Sequence, residues 1–203
     1  MNRADTLQQL AWLCRNGRSS VQPAVEPSGW TQLDAILPGG GWQSGTIVEL
    51  MPAATGIGEL RLVIPALARL TRQERHVALI APPYVPFAPA LAQQGVRLDR
   101  LLIVHASAAD DILWACEQVL RCKSFGAVLA WPVTIRDRET RRLQLAAEAG
   151  RTTGFVYRPI TAARESSPAA LRMKLEKAPG GDLQIDIIKC RGARGGVRIA
   201  VGE

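Results

Sequence analysis

The segment Pro52, Ala53, Ala54, Thr55, Gly56, Ile57, Gly58, Glu59, Leu60 follows an apolar run that ends at Met51. A loop that holds a nucleotide's phosphates needs glycines, so that backbone amides converge on the anion. It also needs a lysine for the β- and γ-phosphates and a Ser or Thr hydroxyl for Mg²⁺. With Gly58 as the last glycine, Glu59 takes the lysine position and Leu60 the hydroxyl position. A carboxylate in place of a cation reverses the sign of the contact. At 4 Å and a surface-like effective dielectric, two unit charges interact by about 4 kcal/mol, so a triphosphate is repelled. The loop keeps the outline of a phosphate loop and loses its chemistry; the same glycines also suit a plain β-to-α turn that needs positive φ.

Other residues capable of chemistry are few. Cys14, Cys116, Cys122 and Cys190 contain no C-x-x-C pair, and His76 and His105 are the only histidines. No metal site has ligands at useful spacing, and the cysteines read as reduced, half-buried thiols. No catalytic residue is assigned. Lys189, Arg191, Arg194 and Arg198 fall among glycines near the C-terminus, where a basic hairpin could meet DNA or an acidic partner, or be a solvated turn. Leu7, Leu10, Trp12 and Leu13 lie at helical spacing and form a candidate interaction helix, with packing on the chain's own core as the alternative.

The elements that position these residues alternate regularly. An N-terminal helix over 4–15 is followed by a Ser/Pro/Val-containing linker over 17–27, so residues 1–29 read as helix and linker and 30–203 as the main domain. Strands are expected at 45–51, 76–81, 101–105, 127–131 and 153–157. Helices are expected at 58–72, 86–94, 109–122 and 136–149. This alternation predicts an α/β fold with a mostly parallel central sheet flanked by helices. After Ala169 the texture changes to short alternating segments at 171–176, 183–189 and 197–201, read as antiparallel C-terminal strands that extend the sheet.

Composition sets the outer limits. The 203 residues are 47% hydrophobic and 21% charged, enough for a full core. The longest apolar runs, such as Leu62–Ala68 and Phe125–Val133, fall well short of the roughly 20 residues that span a bilayer. Asp5 and two glutamines interrupt any signal-peptide core, so a cytoplasmic location is expected, with no membrane partner. Lys and Arg total 25 against 18 acids, a net charge of +7, and only four of the 25 are lysines. Arginine forks pair with phosphates or carboxylates, which suits a nucleic-acid neighbourhood or a protein interface.

The stretch Leu33–Leu50, with its Pro38-Gly39-Gly40-Gly41 turn, resembles the segment that precedes the phosphate loop of RecA recombinases, and the likeness runs over roughly residues 30–201. With that pattern laid on the chain, the water-activating glutamate falls on Pro83 and the magnesium-linked aspartate on Trp131. Neither side chain can take a proton from water or hold a cation. Together with Gly56-Ile57-Gly58-Glu59-Leu60, the runs Leu62–Ala68 and Arg141–Glu148 resemble the ImuA family, RecA-like accessory proteins of SOS-induced translesion synthesis and mutagenesis. This resemblance implies a non-catalytic adaptor without cofactors in DNA damage tolerance and DNA repair. Its partners would be an ImuB-type inactive Y-family polymerase relative and an error-prone DnaE-type polymerase, with RecA or a second copy as further partners. Weak nonspecific DNA contact and association with the nucleoid would fit the same role. The related SulA family shares a catalytically silent, RecA-derived core. It supplies the alternative of a cell-division inhibitor that binds FtsZ, and an atypical NTPase is a third reading.

Overall fold

Eight strands form one twisted sheet in the order β10-β9-β8-β3-β7-β6-β4-β5. The computed structural model describes residues 8, 12–14 and 25–202. The strands are β3 (Ile47–Pro52), β4 (His76–Ile80), β5 (Leu101–Val104), β6 (Phe125–Ala130), β7 (Thr153–Tyr157), β8 (Leu171–Lys177), β9 (Leu183–Cys190) and β10 (Val197–Val201). Neighbours from β5 through β8 pair in parallel, whereas β8–β9 and β9–β10 are antiparallel. The α/β architecture is therefore the one expected, with one refinement. β8 runs parallel to β3, and the antiparallel extension begins only at β9.

β4, β6 and β7 are buried along their whole length, as continuous apolar runs must be when helices cover both faces. On one face α2 (Ile64–Arg72) turns Ala66, Leu67, Ala68 and Leu70 inward, onto a cluster that includes Leu50, Leu129 and Phe155. Phe155 meets Trp42 edge-on, with ring centroids 5.1 Å apart. On the other face α4 (Ala109–Arg121) and α5 (Asp137–Gly150) cover Ile47, Ile80, Val128 and Val156. Those two helices come so close that a Cβ on Gly150 would stand 1.9 Å from the Leu120 carbonyl oxygen, which dictates glycine there. Each large apolar side chain so buried contributes about 1.5–3 kcal/mol.

Three details depart from the sequence reading. Residues 25 and 26, assigned to the linker, form β1 (Val25–Glu26), which pairs with β2 (Trp42–Gln43) just after the short helix α1 (Thr31–Asp34). The buried Glu26 carboxylate accepts a 2.7 Å hydrogen bond from Arg69 of α2, and this ion pair ties the small ribbon to the main body. The helix after the glycine loop begins at Ile64 rather than Gly58, and residues 59–63 are turns. Finally, Cys14 and Cys122 are joined in a disulfide, not held as two thiols. Residues 12–14 are helical and lie against the end of α4, where Leu13 is buried and its carbonyl accepts a 3.1 Å hydrogen bond from Ser124 Oγ. A separation of 108 residues hides that proximity from any reading of local spacing.

Candidate functional site

In an open α/β sheet, ligands and partners approach the crevice beyond the carboxyl ends of the strands. Here four segments leave those ends together: 53–60 after β3, 81–87 after β4, 131–133 after β6 and 158–160 after β7. They enclose two adjoining hollows of about 330 Å³ and about 370 Å³ that share Thr55, Glu59, Pro83 and Trp131.

Each segment is set locally. Gly56 and Gly58 have φ of 83° and 95°, a left-handed conformation that favours glycine and lets the loop fold back on itself. Both oxygens of the Glu59 carboxylate then lie 3.1 Å from the Gly56 amide nitrogen and accept its N–H. Glu59 is only 7% exposed. The loop thus closes on its own carboxylate, in the position where a phosphate loop would receive its anion. Leu60 packs against the core instead of offering a hydroxyl.

After β4 the chain turns at Ala81, whose φ of 52° is unusual for a residue with a Cβ and costs about 1 kcal/mol or more. Its amide is held by the Val104 carbonyl at 2.8 Å. The turn launches Pro82-Pro83-Tyr84-Val85-Pro86-Phe87 into solvent, where Tyr84, Val85 and Phe87 are 72%, 81% and 71% exposed. Prolines cannot continue the sheet, and their fixed φ holds the run extended. Trp131, anchored by its amide to the Ile80 carbonyl at 3.1 Å, stacks on Tyr157 with centroids 4.5 Å apart and planes 5° apart. Beyond it Val133 is 72% exposed. The result is an apolar, proline-rich rim around a cleft, with Glu59 the single carboxylate lining the two hollows among the described residues.

Below the cleft sits a buried charge network. Glu49 of β3, fully buried, accepts from Arg158 Nη1 at 3.1 Å, from Ser167 Oγ at 2.6 Å and from Arg172 Nε at 2.7 Å. Arg158 also donates to Glu165 at 2.6 Å, while Arg172 donates to the carbonyls of Glu165 and Ala162, each at 2.8 Å. These bonds hold the segment 158–167 in place at the edge of the cleft.

The cleft gathers Gly56, Gly58, Glu59, Leu60, Pro83 and Trp131, all singled out in the sequence. The basic residues near the C-terminus make separate contacts. Lys189 donates to the Ser167 carbonyl at 2.6 Å and Arg191 to that of Pro168 at 3.4 Å, whereas Arg198 pairs with Asp186 in the neighbouring strand. Arg194 is exposed in the connecting turn. Of the candidate interaction helix, Trp12 is 59% exposed and Leu13 is buried in the core, while Leu7 and Leu10 lie outside the described residues. Sequence reasoning missed Tyr157, Tyr84 and Phe87. The signal for the last two was present as aromatic residues set among prolines between two regular elements.

Among the described residues no group of three or more His, Cys, Asp and Glu could hold a metal, and no helix is long and apolar enough to cross a membrane.

Comparison with known proteins corrects the ImuA assignment. The profile of the family described as "Cell division inhibitor SulA" matches residues 45–154, from β3 through the start of β7. The cell division inhibitor SulA of Pectobacterium atrosepticum is 31% identical over 145 residues, covering 71% of this chain and 79% of that protein. That of Pectobacterium carotovorum subsp. carotovorum is 32% identical over 116 residues, 57% of this chain and 69% of the relative. The Photorhabdus laumondii protein is 28% identical over 117 residues, 58% and 66% respectively. The translesion-synthesis and mutagenesis role, and with it the ImuB-type and DnaE-type polymerase partners, is therefore withdrawn. The motifs that carried that assignment, at 56–60, 62–68 and 141–148, all lie within the stretch that the SulA profile matches. The chain belongs to the SulA family of cell division inhibitors.

Proposed function

We propose that this protein inhibits cell division by binding the tubulin-like protein FtsZ in the cytoplasm, and that it does so as a binding protein rather than an enzyme. Family membership supports the biological role. The observation that carries the mode of action is the conversion of a phosphate-loop cleft into an apolar docking rim. Glu59 fills the anion position, Pro83 and Trp131 stand where catalysis would need polar groups, and Tyr84, Val85, Phe87 and Val133 project beside them. Aromatic and proline-framed patches of this kind supply contact area at low entropic cost, which is the pattern of protein-binding hot spots. A nucleotide has no role in this reading.

The test uses the full chain with FtsZ from the same organism. Stoichiometric protein is expected to lower FtsZ polymer yield in sedimentation, and overproduction is expected to make cells filament. Phe87→Ala and Trp131→Ala should each weaken binding by about 2 kcal/mol or more, the hot-spot scale. Failure of the wild-type protein to bind FtsZ, or saturable micromolar binding of ATP, would refute the reading.

A further inference from the structure

Two polar groups in the cleft are left without the partners that burial demands. Glu59 is 7% exposed, yet its carboxylate receives only the Gly56 N–H and makes no ion pair among the described residues. Buried carboxylates are ordinarily matched by a cation, because an unmatched charge in low dielectric is costly. Tyr157 is 4% exposed, and its hydroxyl has no hydrogen-bond partner among the described residues. Burial, and secondarily the Glu59 charge, hold that phenol well above its ordinary pKa, so it stays protonated. Both groups line the same hollow, whose walls include the stacked Trp131 and the ring of Pro83.

The geometry points to an arginine side chain of the partner as the group that enters this hollow, pairs with Glu59 and donates to the Tyr157 hydroxyl oxygen. The inference rests on the proposed docking of FtsZ at this rim and specifies its chemistry. A guanidinium carries five N–H donors in a flat fork, so it can serve the carboxylate and the phenol at once. Its faces also suit an aromatic wall. The carboxylate retains acceptor capacity, since one shared amide proton occupies only part of it. Charge points the same way. Among the described residues Glu59 is the sole acid lining either hollow, in a chain of net charge +7, so an incoming cation finds its attraction there. Arg158, which lines the second hollow, is already engaged by Glu49 and Glu165.

The experiment has two arms. In the first, the full-length protein is titrated with N-acetyl-argininamide and, separately, with the neutral N-acetyl-citrullinamide, and the aromatic resonances of Tyr157 and Trp131 are followed by NMR. Saturable shifts are expected with the arginine compound alone. They should weaken by about tenfold or more in Glu59→Gln and several-fold in Tyr157→Phe, the scale of charge-assisted and neutral buried hydrogen bonds. Equal responses to both compounds, no saturable response to either, or an unchanged response in Glu59→Gln would overturn the inference. In the second arm, Glu59→Gln should weaken FtsZ binding by about tenfold or more. If wild type and Glu59→Gln bind FtsZ equally, the inference fails and the proposed function stands. If wild type does not bind FtsZ, that reading fails, and the arginine-against-citrulline comparison alone decides the chemistry of the hollow.

Discussion

Replacing Glu49 by alanine removes the one fully buried carboxylate that joins two buried guanidiniums. Arg158 and Arg172 have side chains 8% and 6% exposed, and their nearest remaining counter-charge is Glu165, which is 59% exposed and reaches only Arg158. Taking one partner from a buried ion pair typically costs about 3–5 kcal/mol, because the other charge stays buried and unmatched. Three hydrogen bonds to Glu49 are lost at the same time, from Arg158, Ser167 and Arg172. We therefore expect Glu49→Ala to lose about 3–5 kcal/mol, and Glu49→Gln, which keeps the shape and some acceptor capacity, to lose less. Equilibrium urea unfolding measures the loss as a lower midpoint at unchanged slope. Amide hydrogen exchange should show protection falling first in 158–172, the segment fastened by Arg158, Ser167 and Arg172. A loss under about 1 kcal/mol would show that the network is no more than an exposed ion pair in worth. Exchange unchanged over 158–172 would show that Glu49 does not hold that segment.

Three further outcomes are expected. Reduction of the Cys14–Cys122 disulfide, or Cys14→Ser, opens a loop of 108 residues, which by chain entropy is worth up to about 4.8 kcal/mol; the drop in unfolding midpoint on adding reductant measures it, and no drop refutes a stabilising bond. Burial pushes the Cys116 thiol up to about 12, so at pH 8 iodoacetamide should modify the partly exposed Cys190 first and Cys116 only after denaturation, as peptide mass analysis would reveal. The Arg198 guanidinium, aided by Lys174, holds the Asp186 carboxyl below its ordinary value. That stabilisation is complete above the unfolded pKa near about 4 and is lost as pH falls through the lower folded value, so Asp186→Asn should flatten the acid limb of a stability–pH curve.

The alternation of apolar runs and amphipathic stretches made the sheet-and-helix order readable, because each run from β3 to β7 is bounded by helix-forming or turn-forming residues. Val25 and Glu26 were not readable as a strand, since two residues carry no period and their pairing depends on Trp42 coming round from the far side of a turn. The start of α2 was placed too early because Glu59–Val63 have helical composition, and only the left-handed glycines show that the chain spends those residues on turns. Gly56, Glu59, Pro83 and Trp131 could be placed together because a phosphate-loop pattern links them. Tyr157 belongs to no such pattern and reaches the cleft only because β7 lies between β3 and β6 in the sheet. The family assignment failed because short motifs at 56–60, 62–68 and 141–148 do not decide between families, whereas the match over residues 45–154 does.

The anchoring of residues 12–14 at the start of β6 has a practical meaning for assembly. Ser124 and Cys122, which receive Leu13 and Cys14, stand before the first residue of β6, while Trp131 follows its last. Six residues at roughly 3.3 Å each separate these two ends, a distance of about 20 Å. Residues 12–14 and the proposed docking rim therefore lie at opposite ends of β6. Residue 12, which is exposed, can therefore carry a fluorophore or a surface tether at the end opposite the rim, with the cleft presented to whatever approaches from solution.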